Sequence, residues 1–125
     1  MLLHEDITEK IISSFYKVYN TLGYGFLEKV YENALLAELK IQELNAGAQY
    51  PIDVFYEKIK VGIYFADVIV ESKIIIEIKA AEAIAREHEL QLVNYLKATN
   101  LEIGLLLNFG KKPEFKRKIF TNDLK

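Results

Sequence analysis

Residues 65–79 read Phe65-Ala66-Asp67-Val68-Ile69-Val70-Glu71-Ser72-Lys73-Ile74-Ile75-Ile76-Glu77-Ile78-Lys79. Two apolar, β-branched runs flank a short polar break at Glu71-Ser72, the pattern of two strands joined by a tight turn. Each run carries charge where charge is costly to bury: Asp67 in the first, Glu77 and Lys79 in the second. A strand has period two, so Glu77 and Lys79 share one face while Ile76 and Ile78 share the other. Glu-x-Lys alone reads as an exposed edge or a local ion pair. Asp67 on the neighbouring strand changes the balance. With a two-residue loop, Val70 faces Lys73 and Asp67 faces Ile76, on the side away from Glu77. With a three-residue loop, Glu71-Ser72-Lys73, Val70 faces Ile74 and Asp67 faces Glu77. A one-residue slip therefore decides whether a site exists. Two carboxylates facing across a ladder repel, and their proximity makes sense with a divalent cation between them.

Outward from this hairpin, the chain starts helical. Ile7, Ile11, Phe15, Val18 and Leu22 recur near the helical period. Asp6 or Thr8 is placed to cap the start, and Gly23-Tyr24-Gly25 to stop it. A second helix is expected over 26–44, with Leu27, Val30, Ala34, Leu35, Leu39 and Ile41 as core candidates and Asn45-Ala46-Gly47 ending it. Gln49–Tyr56 reads as an edge strand because Pro51 sits near its start. Strands are expected over 60–70 and 73–79, a helix over 82–99, and a buried strand over 101–109. A basic tail follows, with a short strand at 118–121. The order α-α-β-β-β-α-β-(β) implies an α/β (α+β) fold with a mixed sheet, in which a helix carries one crossover.

The 125 residues suit one domain, 1–125. Hydrophobic residues make up 51% and charged residues 27%, enough apolar surface for a core and against intrinsic disorder. No run approaches the roughly 20 apolar residues of a membrane helix. Met1-Leu-Leu-His-Glu-Asp has no basic start leading into an apolar stretch, so no signal peptide is expected. The absence of cysteine removes disulfides, thiolate zinc sites and cysteine nucleophiles, and fits a cytoplasmic location. Sixteen basic against 18 acidic residues give a net charge of -2, so no global basic field attracts nucleic acid. Any such site must be local or assisted by a cation. There is no zinc-finger spacing, no Walker-type phosphate loop and no serine–histidine–acid triad; Gly23-x-Gly25 alone does not make a dinucleotide site.

Asp67 followed by Glu77-Ile78-Lys79 resembles the motif of the PD-(D/E)XK nuclease superfamily, with Ala66 where the superfamily name has proline. Gly25-Phe-Leu-Glu28-Lys-Val-Tyr31 spells G-x-x-E-x-x-Y. Together with His88-Glu-Leu-Gln91-Leu-Val-Asn-Tyr95 and Gly104-Leu-Leu-Leu-Asn108-Phe109-Gly110, it is similar to the small single-domain GxxExxY family within that superfamily. The resemblance covers roughly 5–120. It implies a restriction-endonuclease-like core, a central mixed sheet flanked by helices, and a metal-dependent nuclease acting on DNA, with RNA as a second substrate class. It implies that Asp67, Glu77, the Ile78 backbone carbonyl and Glu28 hold Mg²⁺ or Mn²⁺, hard ions that take oxygen ligands. Lys79 would orient the attacking water and stabilise charge on the phosphate, and Gln91 would reach the site beside Lys79.

Other residues carry two readings each. Glu28 is a solvated helix residue or a ligand. Gln91 and Tyr95, four apart, are an amphipathic helix face or part of the site. His88 is structural or a phosphate contact. Gly25 reads as a turn glycine, and Tyr31 as a packing ring with a hydroxyl handle. Lys111-Lys112-Pro-Glu-Phe-Lys116-Arg117-Lys118 is a solvated run or a source of phosphate contacts through Lys116, Arg117 and Lys118. The alternative to an enzyme is a non-catalytic module of the same fold that binds nucleic acid or protein. A homodimer would give so small a chain a second surface with which to grip a duplex.

Overall fold

In a computed structural model the protein is described over residues 3–125; Met1 and Leu2, the start of the stretch read for a leader, lie outside the described residues. Helices α1 (Glu5–Leu22) and α2 (Glu28–Ile41) precede strands β1 (Ala46–Tyr56), β2 (Ile59–Val70) and β3 (Ile74–Lys79). Helix α3 (Arg86–Lys97), β4 (Ile103–Phe109) and β5 (Pro113–Ile119) follow, and the chain ends in a single 3-10 turn, Asn122–Leu124. The sheet runs β1-β2-β3-β4-β5. Only β3 and β4 are parallel, joined through α3; the other neighbours are antiparallel. This is the mixed α+β sheet expected from the sequence.

The central strands explain the layering. Every residue of β4, and all of β3 but Lys79, is buried, so both faces need helices. On one face α1 and α2 pack Ile11, Phe15, Val18, Tyr31, Leu35 and Leu39 against Val68, Val70, Ile76, Ile78, Leu105 and Phe109. On the other, α3 sets Leu92, Tyr95 and Leu96 against Ile52, Ala66, Ile75 and Leu106. Burying each such side chain contributes about 1.5–3 kcal/mol.

Several boundaries and core assignments shift. Helix α1 begins at Glu5 behind His4, with no side-chain cap; the Thr8 hydroxyl turns back to the Glu5 carbonyl instead of capping. Helix α2 is shorter than expected because Ala46 and Gly47 already pair in β1. Its buried apolar stripe is Tyr31, Leu35 and Leu39, four apart, whereas Leu27, Val30 and Ile41 are exposed. Leu27 stands before the helix and Ile41 at its last residue, where no layer covers them. Helix α3 spans 86–97, leaving 80–85 as a loop. The basic tail is mostly edge strand β5, which pairs along β4 from Phe109↔Pro113 to Ile103↔Ile119. Its lysines mark an edge guarded against further pairing.

The β2–β3 turn takes the three-residue form. Val70 faces Ile74, Ile69 faces Ile75 and Val68 faces Ile76. Pairing to β3 ends there, one step before Asp67, while β1 and β2 continue outward as a two-stranded ribbon to Tyr56 and Ile59. At the same step the side-chain alternation breaks. Val68 and Val70 face α1 and α2, yet Ala66, of the same parity, packs with α3. Opposite the break, Gln49 has φ 55 between the pairs Ala48↔Val68 and Tyr50↔Ala66. The strands therefore fork and twist at Asp67.

Candidate active site

At the fork the ladder carbonyls are replaced by carboxylates. The Asp67 N–H donates to Glu77 Oε2 at 2.8 Å, and the Ile78 N–H donates to Asp67 Oδ2 at 2.7 Å. This reciprocal exchange brings Asp67 and Glu77 together, as the three-residue loop requires. One oxygen of each carboxylate is committed to backbone, which leaves the other for a further partner. Within a strand a residue's N–H and C=O lie on one edge, so the Ile78 carbonyl is on the β2 side too.

The electrostatics follow from burial. Glu77 is buried, with 4% exposure. Burial, then the Asp67 charge, pushes its carboxyl up to about 7, against hydrogen bonding from the Asp67 N–H and attraction from Lys79. Asp67 is also raised, first by burial and further by the charges of Glu32 and Glu28; the Ile78 N–H and Lys79 oppose this. Lys79, half-buried at the end of β3 opposite Asn108, is the cation that attracts both. Like charges held this close favour the charged state only when a cation joins them.

Around this pair each element contributes one placement. Tyr31 stacks on Phe109 with ring centroids 4.3 Å apart. Its hydroxyl donates to the Gly23 carbonyl at 2.7 Å and accepts from the Phe26 N–H at 3.2 Å. With Gly25 at φ 108, a conformation open to glycine, this clamp fixes the loop before α2. Glu28, the first residue of α2, then accepts from the Ala80 N–H at 3.3 Å, just past Lys79. Asn108 is fully buried; its Oδ1 accepts from the Ala81 N–H and its Nδ2 donates to the Ala81 carbonyl. Gly110 permits this loop to lie close, because a Cβ there would clash with the Ala81 carbonyl oxygen. Tyr95 is 5% exposed and its phenol is pushed up to about 12 by burial, then by Glu77 and Asp67.

The structure thus brings together Asp67, Glu77, Lys79, the Ile78 backbone and, at the margin, Glu28. Among the described residues no three acidic or histidine side chains form a group able to hold a metal ion, so Glu28 stands beside the carboxylate pair without completing a triad. Gln91 is half-buried on α3, and its side chain makes no hydrogen bond among the described residues. His88 accepts from the Ala85 N–H through Nδ1 at 3.2 Å and so helps cap α3, which leaves Nε2 for other contacts. Lys116, Arg117 and Lys118 do not form one patch. Lys118 pairs with Glu89 of α3 at 2.7 Å. Arg117 Nη2 donates to the Leu3 carbonyl at 2.7 Å, and Lys116 is exposed. A residue the sequence reading missed is Glu32. It is buried on α2, one turn from Glu28, accepting from Gln49 Nε2 at 3.1 Å and pairing with Lys29 at 2.6 Å. Its i,i+4 relation to Glu28 was the available signal.

Residues 5–118 match the family model of the PD-(D/E)XK nuclease superfamily. Among solved structures, the crystal structure of SSO0001 is similar, with a TM-score of 0.58 at 22% identity. That likeness speaks to the fold alone. It covers 95% of this chain but 61% of the other, so the chain spans less than two thirds of that neighbour's length. No curated protein matches the chain. Because the family match begins at the first helix and runs into the last strand of the sheet, the chain belongs to the PD-(D/E)XK nuclease superfamily.

Proposed function

We propose that the protein is a nuclease that hydrolyses phosphodiester bonds in DNA, with RNA as a second substrate class, using Mg²⁺ or Mn²⁺. Within the superfamily we place it with the GxxExxY proteins, on Gly25, Glu28 and Tyr31. The observation that carries the reading is the reciprocal pair at the fork. Two carboxylates are held together against their own repulsion, each with an oxygen to spare. Their donor chemistry fits a hard divalent ion. Mg²⁺ is typically held by one or two carboxylates with waters and substrate phosphate, not by a full cage of side chains. Among the described residues no third carboxylate converges on the pair, which fits such a partly hydrated ion.

Asp67, Glu77 and the Ile78 carbonyl would hold the ion, with Glu28 acting through water. The chemistry such an ion supplies is polarisation of a phosphoryl oxygen and a lowered pKa for water. Lys79 donates hydrogen bonds from Nζ, orienting the nucleophilic water and stabilising negative charge that develops on the phosphate. Gln91 reaches from α3 toward the site beside Lys79. Asn108 and Gly110 hold the 80–82 backbone, so that Lys79 works from a fixed strand end.

The test separates catalysis from binding. Lys79→Ala should retain Mn²⁺ affinity in a calorimetric titration while metal-dependent cleavage falls about 10²–10³-fold. Asp67→Ala should lose both. The substrates are single-stranded, duplex and branched DNA, and RNA. Cleavage persisting equally in wild type and Lys79→Ala would remove the catalytic assignment and favour a non-catalytic binding module.

A further inference from the structure

Beyond the fork, the β1–β2 ribbon overhangs α3 and encloses a groove of about 740 Å³. Its walls include Phe55 and Tyr64 from the ribbon and Leu90, Gln91, Asn94 and Tyr95 from α3. We propose that this groove takes unpaired nucleobases of a single-stranded nucleic acid, stacked on Tyr64, and delivers the adjoining phosphate to the carboxylate fork. The inference rests on the nuclease reading for that delivery; the base site itself does not.

Three observations point to this occupant. First, Tyr64 and Tyr95 form an aromatic pair with centroids 5.6 Å apart. Tyr64 is 49% exposed, a half-open ring of the kind on which any base can stack. Second, the polar groups match base edges and not phosphates. Gln91 and Asn94 each offer a donor and an acceptor, and among the described residues neither side chain has a hydrogen-bond partner. The charged lining is Asp53, Glu87 and Lys97, two negative and one positive, which disfavours an anionic backbone inside. Third, the groove lies beside the fork, with Tyr95 in its wall. Glu77 and Asp67 both raise the Tyr95 phenol, and Tyr64 lies three residues from Asp67, about 10 Å along the strand. Bases inside a duplex are stacked on one another and cannot present a face to Tyr64. The groove therefore selects single-stranded, frayed or flapped substrates.

The test reads binding with Ca²⁺ in place of Mg²⁺, using a 12-nucleotide single strand carrying 2-aminopurine and a hairpin duplex of equal length. Wild type should quench the 2-aminopurine. Tyr64→Ala should abolish the quenching and weaken single-strand binding about 5- to 100-fold. Tyr64→Phe should restore both, and duplex affinity should not change. Tyr64 is half-exposed, so the variants should melt like wild type. Equal affinity of wild type and Tyr64→Ala for the single strand would overturn the proposal. So would a wild-type dimer in sedimentation that Tyr64→Ala splits, which would give the groove to a second copy of the chain. Quenching without Lys79-dependent cleavage would overturn the nuclease reading and support the base site. Cleavage with no effect of Tyr64→Ala on binding would overturn the base site alone.

Discussion

Glu77 gives the metal-free protein a pH signature at the scale of one residue. Its carboxyl is raised from an ordinary 4.5 to about 7, chiefly by burial, and returns to the ordinary value on unfolding. Between those values the folded protein holds a proton that the unfolded chain has released. The contribution is complete below about pH 4.5 and is lost as pH rises through about 7. The difference amounts to about 3 kcal/mol. Glu77→Gln keeps an oxygen for the Asp67 N–H but cannot ionise. In urea unfolding with EDTA, the variant should gain on wild type by about that amount between pH 5 and pH 8. Mg²⁺ at pH 8 should then stabilise wild type and not the variant. A wild-type-to-variant gap that stays constant from pH 5 to pH 8 removes the buried charge from this account. The residues at this scale were legible because charge inside an apolar strand is rare. Glu32 was not, since a helical glutamate looks solvated until Gln49 is seen to reach it.

The element on which the site depends is the turn between β2 and β3. Glu71 and Ser72 both have φ 54, and the Lys73 N–H donates to the Val70 carbonyl at 3.0 Å, a turn with two left-handed residues of type I′. Glu71 is held there by Asn45, whose carbonyl accepts its N–H at 2.7 Å and whose N–H donates to its carboxylate. Ser72 has no side-chain hydrogen bond among the described residues and bears the cost of a side chain in that region, about 1–2 kcal/mol. Ser72→Gly should raise the unfolding free energy by about 1 kcal/mol, moving the urea midpoint upward at unchanged slope. The register should not move, so Mn²⁺ affinity should match wild type. A destabilised Ser72→Gly would mean that the serine supports the turn by some other route. The sequence left the loop length open because Glu71-Ser72 lacks the Asn-Gly or Asp-Gly that marks a two-residue hairpin. In the longer loop Glu71 is held by a contact with Asn45, 26 residues away, which no local pattern announces. Strand β5 was expected only at 118–121 and spans Pro113–Ile119 instead, for a related reason: its lysines read as a solvated run, and only pairing with β4 shows the edge.

Over the whole molecule, the net charge of -2 means that phosphate contacts must come from a few placed cations. The 116–118 run was the natural candidate, and its placement weakens it. Lys118 is neutralised by Glu89, and Arg117 is turned to the Leu3 carbonyl on the α1 side. Lys116 alone is exposed on the α3 face, in the cross-strand row Glu77, Leu106, Lys116. Lys111 and Lys112 are placed better. They are exposed just past β4, at the end of the sheet where Lys79 pairs with Asn108. Lys111 also shares a hollow with Phe26, Leu27, Ala80 and Ala81, around the Glu28 contact. Each phosphate contact adds about 0.7 to the salt slope for a single strand and about 0.9 for a duplex. Replacing Lys111 and Lys112 together by glutamine should therefore lower the slope of log K against log[KCl] by nearly two contacts. The same treatment of Lys116, Arg117 and Lys118 should lower it by about one contact, that of Lys116. The measurement is titration of a labelled strand between about 50 and 200 mM salt. A larger loss from the 116–118 replacement would reverse the assignment. It would show that the Glu89 and Leu3 contacts open when nucleic acid binds, and that the edge strand, not the sheet end, tracks the backbone.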